Sequence, residues 1–369
     1  MNSLKKFCKS QPVLLIVLIA AALTILFIPP DKEYFKYCNR TVLIQLFCLM
    51  AAVSGFRSVG IFEKATALLL NKAGNLRRLG VIFTLICFFS SMFFTNDVAL
   101  LTFVPLTIIV YNSINDEKSK ILTIVLETAA ANLGSMLTPF GNPQNLFIYD
   151  EYHLSICDFL KTMFPSGMFS LGMLLLLNLL IPKKMCTAFT EENTLINKKK
   201  LTAYLILFII CLLTVFRVIP DIWCFGITII AMLVLDIRLF AKIDYGLIGT
   251  FVCFFIFVGN IARIDAVSIF FSRILNEREI IVSVVLSQVI SNVPAAVMLS
   301  GFTDNGTQLL LGVNLGGLGT VIASLASLIS FQFYRKSEKA QSGCYMIIFT
   351  AVNFGLLTIL MGFTLSGIL

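Results

Sequence analysis

Apolar runs long enough to cross a lipid bilayer recur along this chain from one end to the other. The hydrocarbon core of a bilayer is about 30 Å thick, so a helix needs roughly 20 mainly apolar residues to span it. The pattern predicts about nine full spans. They cover residues 12–28, 41–59, 121–148, 159–181, 201–218, 223–239, 245–261, 307–333 and 345–365. The sequence therefore predicts an all-α polytopic membrane protein.

Two further apolar segments, 79–111 and 280–302, carry polar residues near their middle, including Asn96 and Asn292. Each segment is long enough for two short half-helices that meet at a polar tip. We therefore predict two re-entrant hairpins, each of which enters and leaves the membrane on one side. Two full spans at 79–111 are the alternative, and they would leave the sidedness of all later segments unchanged.

Two of the predicted spans are interrupted by helix-breaking residues. Segment 132–145 contains two glycines, two prolines and three asparagines, and segment 312–320 contains four glycines around Asn314. Hydrocarbon cannot solvate unpaired backbone groups, so such breaks persist at membrane depth only where they are buried or line a cavity. We predict two unwound spans that border a binding site. The alternatives are a packing kink in the first segment and a small-residue contact face, Gly312-x-x-x-Gly316, in the second.

Lysine and arginine lie mainly in the short loops, and this distribution predicts the orientation of the chain. Cytoplasmic loops carry an excess of basic residues. With a cytoplasmic N-terminus, the basic stretches 57–78, 118–120, 183–200 and 335–339 all fall in the cytoplasm, whereas the acidic loop 150–158 lies outside. The first hairpin then enters from the cytoplasm and the second from outside.

This layout predicts inverted repeats. The first repeat is 1–182 with a cytoplasm-facing hairpin 79–111, the cytoplasmic linker is 183–200, and the second repeat is 201–369 with an outside-facing hairpin 280–302. A faint similarity between 47–57 and 252–261 supports the repeat, and the extra span 223–239 inverts the second half. We expect a multi-pass protein of the inner or plasma membrane, with its N-terminal apolar run retained as a span and not cleaved as a signal.

Composition excludes several other classes of function. The net charge is +8, but no basic stripe or nucleic-acid motif accompanies it, so we predict no nucleic-acid partner. The ten cysteines include no CxxC pair, which favours buried apolar fillers over a metal or disulfide framework. No Walker A loop, nucleophile–base set or paired catalytic aspartates are recognisable, so we expect no enzyme and no cofactor other than a bound Na⁺. A membrane-embedded enzyme remains the alternative from a different class.

Asp97 is the most informative single residue of the chain. A carboxylate near the bilayer centre costs about 2.5–3.5 kcal/mol on insertion scales, so it usually has a partner or takes up a proton. We interpret Asp97 as a coupling residue that handles an ion or a proton; a purely structural helix cap is the alternative. Glu127 is a second candidate for coupling; the alternative is that it reaches interfacial water, since it lies about two helical turns from Lys120.

The polar residues of the tips and breaks form the predicted site. A helix N-terminus at mid-membrane offers free N–H groups to an anion, and the carbonyl groups of a broken helix can hold a cation. The predicted substrate- and ion-binding residues are Thr95, Asn96, Asp97, Asn132, Gly134, Thr138, Gly141, Asn142, Ser291, Asn292, Asn314 and Gly316. Within this set, Na⁺ is expected at Asn96, Asp97, Gly141 and Asn292.

At these stretches the chain resembles the ion-transporter superfamily. That superfamily includes ArsB-type arsenite permeases, NhaD-type sodium/proton antiporters, and divalent-anion/sodium symporters with citrate-transporter-like domains. The resemblance rests on Thr95-Asn96-Asp97-Val98-Ala99, Ala131-Asn132-Leu133-Gly134, Thr138-Pro139-Phe140-Gly141-Asn142-Pro143-Gln144-Asn145, Ser291-Asn292-Val293-Pro294-Ala295 and Gly312-Val313-Asn314-Leu315-Gly316.

The resemblance implies a scaffold domain and a transport domain, often in a homodimer, with substrate moved by an elevator-like step. In the symporters, Ser-Asn-Thr tips shape the sodium and carboxylate sites, whereas Asp97 and Val293 occupy the third position here. The Asp97 charge would repel a dicarboxylate unless it is neutralised. Asn314-Leu315-Gly316 and Ser324-Leu325-Ala326 are closer to the arsenite-permease branch.

Taken together, the sequence predicts a secondary transporter in the lipid bilayer that moves a small inorganic or organic anion, coupled to Na⁺ or H⁺. A sodium/proton antiporter is the alternative.

Overall fold

The computed structural model describes residues 12–61, 64, 74–185 and 197–366. These residues form α-helices and three 3₁₀ segments and no named β-strand, which confirms the all-α prediction. The helices are α1 Pro12–Ile25, α2 Tyr34–Tyr37, α3 Arg40–Ser58, α4 Leu76–Phe94, α5 Asn96–Ile114, α6 Glu117–Ser135, α7 Pro143–Glu151, α8 Ile156–Leu177, α9 Lys198–Val215, α10 Asp221–Leu235, α11 Tyr245–Ala262, α12 Asp265–Leu275, α13 Glu279–Ile290, α14 Asn292–Ser300, α15 Gly306–Leu315, α16 Leu325–Arg335 and α17 Ser342–Leu365. The 3₁₀ segments are Asn178–Leu180, Ile237–Lys242 and Val321–Ala323.

Several of these helices are suited to cross a membrane. Within the described ranges, six are long and apolar enough: α3, α4, α5, α8 with its 3₁₀ extension, α11 and α17. Shorter apolar helices include α10 and α13. The chain is therefore a multi-pass membrane protein. The count of about nine full spans stays a prediction, because length and composition alone do not separate spans from hairpin arms.

The first predicted hairpin folds into α4 and α5, which meet at Thr95. α4 runs beside α6 in the same direction, with Gly80 next to Thr123 near one end and Phe88 next to Gly134 near the other. Each arm has 19 residues, or about 28 Å at 1.5 Å per residue. The arms are thus longer than the short half-helices that the sequence suggested.

The second arm returns to the end of the molecule from which the first one starts. Asn112, late in α5, accepts a hydrogen bond from Lys120 Nζ at 2.9 Å in the first turn of α6. The first tip, which we define as residues 95–97, stops beside the break that follows α6, where Asn96 N donates to Gly141 O at 3.2 Å. The segment is therefore a hairpin with its tip against an interrupted span.

The first break lies well inside the membrane-spanning layer. Leu137 packs against Gly167, which is close to the midpoint of the continuous helix Ile156–Leu180. A helix of this length crosses the hydrocarbon core. The first tip, which contacts the same break, is therefore also buried at depth, as a re-entrant hairpin requires.

The second predicted hairpin folds into α13 and α14, which meet at Ser291. These arms have 12 and 9 residues, and both are too short to cross a bilayer. α13 runs beside α15 in the same direction, with Ser283 next to Gly312 and Ser287 next to Gly316. The second tip, residues 291–293, thus lies beside the break that follows α15.

The two hairpins open toward opposite ends of the molecule. At one end, Lys120 Nζ lies 3.3 Å from Glu338 O; we call it the Lys120 end. At the other, Tyr152 after α7 donates to Thr303 O at 2.8 Å beyond the second hairpin; we call it the Tyr152 end. Assignment of the Lys120 end to the cytoplasm stays a prediction, as do the repeat boundaries. Part of the linker 183–200 and the basic Lys72 lie outside the described residues.

The two tips share one unusual backbone conformation. Thr95 has φ 69° and ψ 150°, and Ser291 has φ 76° and ψ 153°. Residues with side chains rarely adopt this region, which costs of order 1–3 kcal/mol. The same exception at both tips indicates that each hairpin turns in the same way.

Contacts between tip and break are repeated as well. Thr138 Oγ1 donates to Met92 O, three residues before Thr95, and Thr320 Oγ1 donates to Gln288 O, three residues before Ser291. The described parts of the two halves therefore contain one local unit twice: a hairpin packed against an interrupted span.

The breaks are shorter than the sequence suggested. α6 remains helical through Ser135, and α7 begins at Pro143, so only residues 136–142 are unwound. α15 continues through Leu315, and the second break covers 316–324, with a short 3₁₀ segment inside it. Helix is kept as far as possible because each intrahelical bond satisfies a backbone group that hydrocarbon cannot. Gly312 and Gly316 form a close contact face against α13, as the alternative interpretation predicted. They also lie at the end of α15, where the second break begins.

Changing Gly134 to alanine will lower the stability of the protein. The added methyl group would lie on the Phe88 carbonyl oxygen, and packed helix backbones cannot move aside as a flexible side chain can. Overpacking of this kind costs about 1–3 kcal/mol. The unfolding temperature in detergent, followed by intrinsic fluorescence, will therefore fall.

Gly172→Ala is the matched control, because a Cβ at Gly172 in α8 meets no atom within 4 Å. Equal unfolding temperatures for the two variants would contradict the close packing of α4 on α6.

Candidate functional site

Hydrogen bonds cross from one interrupted span to the other. Asn314, in the last turn of α15, accepts at Oδ1 from Asn142 Nδ2 at 3.0 Å. Its own Nδ2 donates to Asn145 Oδ1 at 2.6 Å. Asn142 and Asn145 lie at the end of the first break and in the first turn of α7, so the second half of the chain reaches into the first.

The reverse contact is made by Asn132, in the last turn of α6. Its Oδ1 accepts from Ser324 Oγ at 3.0 Å, and its Nδ2 lies 3.4 Å from Ser327 Oγ. Ser324 and Ser327 follow Asn314 at the same sequence spacing as Asn142 and Asn145 follow Asn132. We call these four contacts the crossed asparagine pairs; they show an approximate twofold relation between the halves.

The crossed pairs are closed off from solvent. Their side chains are all at most 5% exposed: Asn132, Asn142, Asn145, Asn314, Ser324 and Ser327. Burying an amide without a hydrogen bond costs free energy, so these reciprocal bonds fix the side chains. Asn96 of the first tip joins the network by donating from Nδ2 to Asn132 Oδ1 at 3.0 Å.

Four helix N-termini converge next to the crossed pairs. α5 and α14 begin at the two tips, and α7 and α16 begin where the two breaks end. Their first residues surround a small cavity of about 10 Å³, which we call the tip cavity. It is lined by Asn96, Asp97, Pro143, Gln144, Asn292, Val293, Ser324, Leu325 and, from α11, Leu247.

Helix N-termini face the tip cavity, and the Asp97 carboxylate is the charged side chain among its lining residues. The cavity holds roughly one water-sized sphere. The first N–H groups of a helix have no intrahelical partner and carry the positive end of the helix dipole. Four such ends around one point favour a small, negatively charged group.

A larger cavity leads toward the first tip. It measures about 160 Å³ and is lined by residues of α3, α5, α7 and the start of α11. Thr95 and Asp97 lie on its wall, together with Arg57, Lys242 and Asp244. α3 starts at the Tyr152 end, where Asn39 donates to Asp150, so its last turn with Arg57 points to the Lys120 end. We call this space the Lys120-end cavity.

A cavity of about 200 Å³ lies at the opposite end, between α2, α7, α11 and α14. Lys36, Glu151 and Ser300 line it. The lining residue of α14 nearest to the second tip is Val297, more than one turn from Asn292. The Lys120-end cavity, in contrast, reaches the first tip, where Thr95 and Asp97 line it.

Asp97 borders both the tip cavity and the Lys120-end cavity. It lies in the first turn of α5, where the helix dipole favours negative charge. In the described ranges, no side chain donates a hydrogen bond to its carboxylate and no basic group pairs with it. The carboxylate is thus available to a cation or a proton.

Glu127 is not brought to either cavity. It is fully buried in α6, where Oε1 accepts from Thr107 Oγ1 at 2.6 Å and Oε2 has no partner among the described residues. Lys120 does not reach it and pairs with Glu117 at 2.7 Å. Its coupling role stays a prediction.

The residues expected to hold Na⁺ are divided between the two tips. Asn96 and Asp97 lie beside the Gly141 carbonyl at the first tip. Asn292 faces the tip cavity from the second tip, with its amide close to Gly317. Thr138, Gly134, Gly316 and Ser291 hold the hairpins against the interrupted spans and do not line the tip cavity.

Several residues of the site carry a signal too weak to single out from the sequence. Gln288, one turn before the second tip, donates from Nε2 to Gly316 O and Leu318 O, both at 3.0 Å. Its Oε1 accepts from Thr320 N at 2.8 Å, so one side chain satisfies the backbone of the second break. In the sequence, the only indication of this role is that Gln288 lies three residues before the Asn-containing second tip. Gln144 and Ser327 carry none, since each resembles an ordinary polar residue near a helix start.

Comparison with known proteins agrees with this architecture. The family model described as citrate transporter (CitMHS) matches residues 7–305. An uncharacterized transporter of Methanocaldococcus jannaschii is 34% identical over 322 residues, 86% of this chain and 88% of that one. The inner membrane protein YbiR of Escherichia coli is 30% identical over 323 residues, 86% of each chain.

More distant relatives match part of the chain. The silicon efflux transporter LSI3 of rice is 29% identical over 163 residues, which is 43% of this chain and 33% of that protein. The family match covers most of the chain, and it contains both tips and the first break. The protein is a membrane transporter that belongs to the CitMHS citrate transporter family.

Proposed function

We propose that this protein is a secondary active transporter that moves a small anion, an oxyanion or a carboxylate, coupled to Na⁺ or H⁺. The observation that carries the proposal is the convergence of four helix N-termini on the tip cavity. Such ends bind negative groups without any basic side chain. In this conformation the tip cavity has room for about one water-sized group, which corresponds to a single oxygen atom of an oxyanion or a carboxylate.

Coupling follows from the carboxylate at the same place. An anion entering the tip cavity meets the negative charge of Asp97, so it binds well only after Na⁺ or a proton neutralises that charge. The Gly141 carbonyl and Asn96 supply oxygen atoms beside Asp97 that suit Na⁺. Each ligand then raises the affinity for the other, and this reciprocity couples the two fluxes.

The names of two partial relatives bear on the class of substrate. One is named for silicon efflux, and another, of Dictyostelium discoideum, is named putative transporter arsB. The family name points instead to a carboxylate. The tip cavity suits the negative oxygen atoms of an oxyanion or of a carboxylate, because helix N-termini attract negative charge.

A sodium/proton antiporter is the second candidate, and the exposed face of Asp97 favours it. A carboxylate that borders two cavities without a basic partner can exchange Na⁺ for a proton. In that case the four helix ends serve only to position the tips.

A thermal-shift screen tests the proposed substrate class. The purified full chain, in detergent, is heated with individual oxyanions and carboxylates, each in NaCl and in choline chloride. A ligand at 100 times its Kd stabilises a protein by about 2.7 kcal/mol. We expect at least one anion to raise the unfolding temperature, and to raise it more with Na⁺ or at lower pH. Stabilisation by Na⁺ alone, with no anion effect, would favour the antiporter.

Replacing Asp97 by asparagine will remove the dependence of transport on the coupling ion. The amide keeps the shape but carries no charge to neutralise. Interactions with charged groups are worth about 1.5–3 kcal/mol, so coupled uptake into proteoliposomes should fall roughly tenfold to a hundredfold. Asp265→Asn is the matched control: like Asp97 it lies in the first turn of a helix, here α12, but it is exposed and lines neither cavity. Full coupled uptake by Asp97→Asn would refute the role of the charge.

Proteoliposomes with an internal pH dye separate the two candidates. Under the symport proposal, a Na⁺ gradient imposed without any anion substrate leaves the internal pH unchanged. Under the antiport alternative, the same gradient changes the internal pH, and Asp97→Asn abolishes that change. A pH response to Na⁺ alone would therefore overturn the symport proposal.

A further inference from the structure

An apolar groove runs along the outer side of α9 and α10, away from the two tips. It measures about 370 Å³ and is lined by aliphatic residues, among them Ala203 and Ile206 of α9 and Ala231 and Val234 of α10. The opposite side of α9 faces the protein, where Phe208 packs on aromatic rings near the first tip. The groove therefore opens toward the lipid.

Four basic residues lie close in the chain to the residues at one end of this groove. α9 begins with Lys198, Lys199 and Lys200, only a few residues before Ala203, and Arg238 follows shortly after the end of α10. None of the four is in an ion pair within the described part of the chain. The nearby carboxylate is that of Asp236, which caps the 3₁₀ segment by accepting from Arg238 N at 3.0 Å.

These cations lie at the Lys120 end of the molecule. Asp221 at the start of α10 lies 3.4 Å from Arg40, next to the start of α3 at the Tyr152 end. α10 therefore runs toward the Lys120 end, and Arg238 lies beyond its last turn. α9 is antiparallel to α10, since Cys211 late in α9 contacts Cys224 early in α10. The lysines and Arg238 thus share one membrane surface.

We propose that this groove binds an anionic phospholipid, with one acyl chain along the aliphatic walls and the phosphate group between the lysines of α9 and Arg238. The aliphatic walls offer nothing to a polar ligand but match a hydrocarbon chain at its natural depth. Basic residues at the membrane surface attract anionic lipid.

Charge argues against a second copy of this chain as the occupant. A twofold contact presents the same surface on both partners. Among the described residues, it would bring two sets of four cations together with Asp236 as the neighbouring carboxylate on each side, and like charges repel. An anionic lipid instead neutralises the cluster.

Native mass spectrometry of the full chain in neutral detergent tests the site. The probes are phosphatidylglycerol and phosphatidylcholine with identical acyl chains. We expect phosphatidylglycerol to bind at least about tenfold more tightly. The triple variant Lys198→Gln, Lys199→Gln, Arg238→Gln should bind both lipids with equal, weaker affinity, and Ala231→Trp, which fills the groove, should lose both.

Two controls separate this site from general charge and bulk effects. Lys118→Gln, Lys183→Gln, Lys336→Gln removes three exposed cations elsewhere on the Lys120 end, and Gly172→Trp adds the same ring to lipid-facing α8. Both should bind like the unmodified protein. Equal affinity of the unmodified protein for the two lipids, or equal losses in the controls, would overturn the proposal. A change of oligomeric state in Ala231→Trp with lipid binding intact would assign the groove to a protein interface instead.

Discussion

The crossed asparagine pairs are the interaction on which the centre of this molecule depends. Each interrupted span leaves amide and backbone groups that hydrocarbon cannot satisfy. Asn132 and Asn314 meet that need across the boundary between the halves, so each break is completed by residues far away in the chain. Because both breaks are held in this way, the helices that start after them aim at the same point as the helices that start at the tips. The tip cavity is a consequence of that arrangement.

The two halves share a geometry but differ in chemistry. Asn142 in the first half corresponds to Ser324 in the second, and Asp97 corresponds to Val293. The first half therefore supplies the charge, while the second supplies small side chains that leave room beside it. The cavities follow the same asymmetry, since the Lys120-end cavity reaches Asp97 and the opposite cavity ends at Val297. In this conformation the charged tip is the accessible one.

Much of this architecture could be predicted because polar residues are conspicuous in an apolar chain. Asn96, Asp97 and Asn292 identified the tips, and the glycines and prolines after Asn132 identified the first break. The exact limits of the breaks could not be predicted, because glycine and asparagine are tolerated in a last helical turn that continues to satisfy its own backbone. The roles of Ser324 and Ser327 could not be predicted either, because a serine among small residues is typical of ordinary helix packing. Their hydrogen bonds with Asn132 depend on the tertiary fold.

The tip conformation links local strain to the way the site could move. Thr95 and Ser291 hold a backbone shape that side chains disfavour, and the contacts next to them, Thr138 with Met92 O and Thr320 with Gln288 O, tie each strained turn to its neighbouring break. Separating a hairpin from its span would break these bonds and the close glycine contacts at once. A hairpin and its span should therefore move as one body. The crossed asparagine pairs join the two interrupted spans, so both hairpins and both spans would form one rigid unit. In the elevator-like step that the family resemblance implies, this unit would move relative to α3, α9 and α10 with the site unchanged.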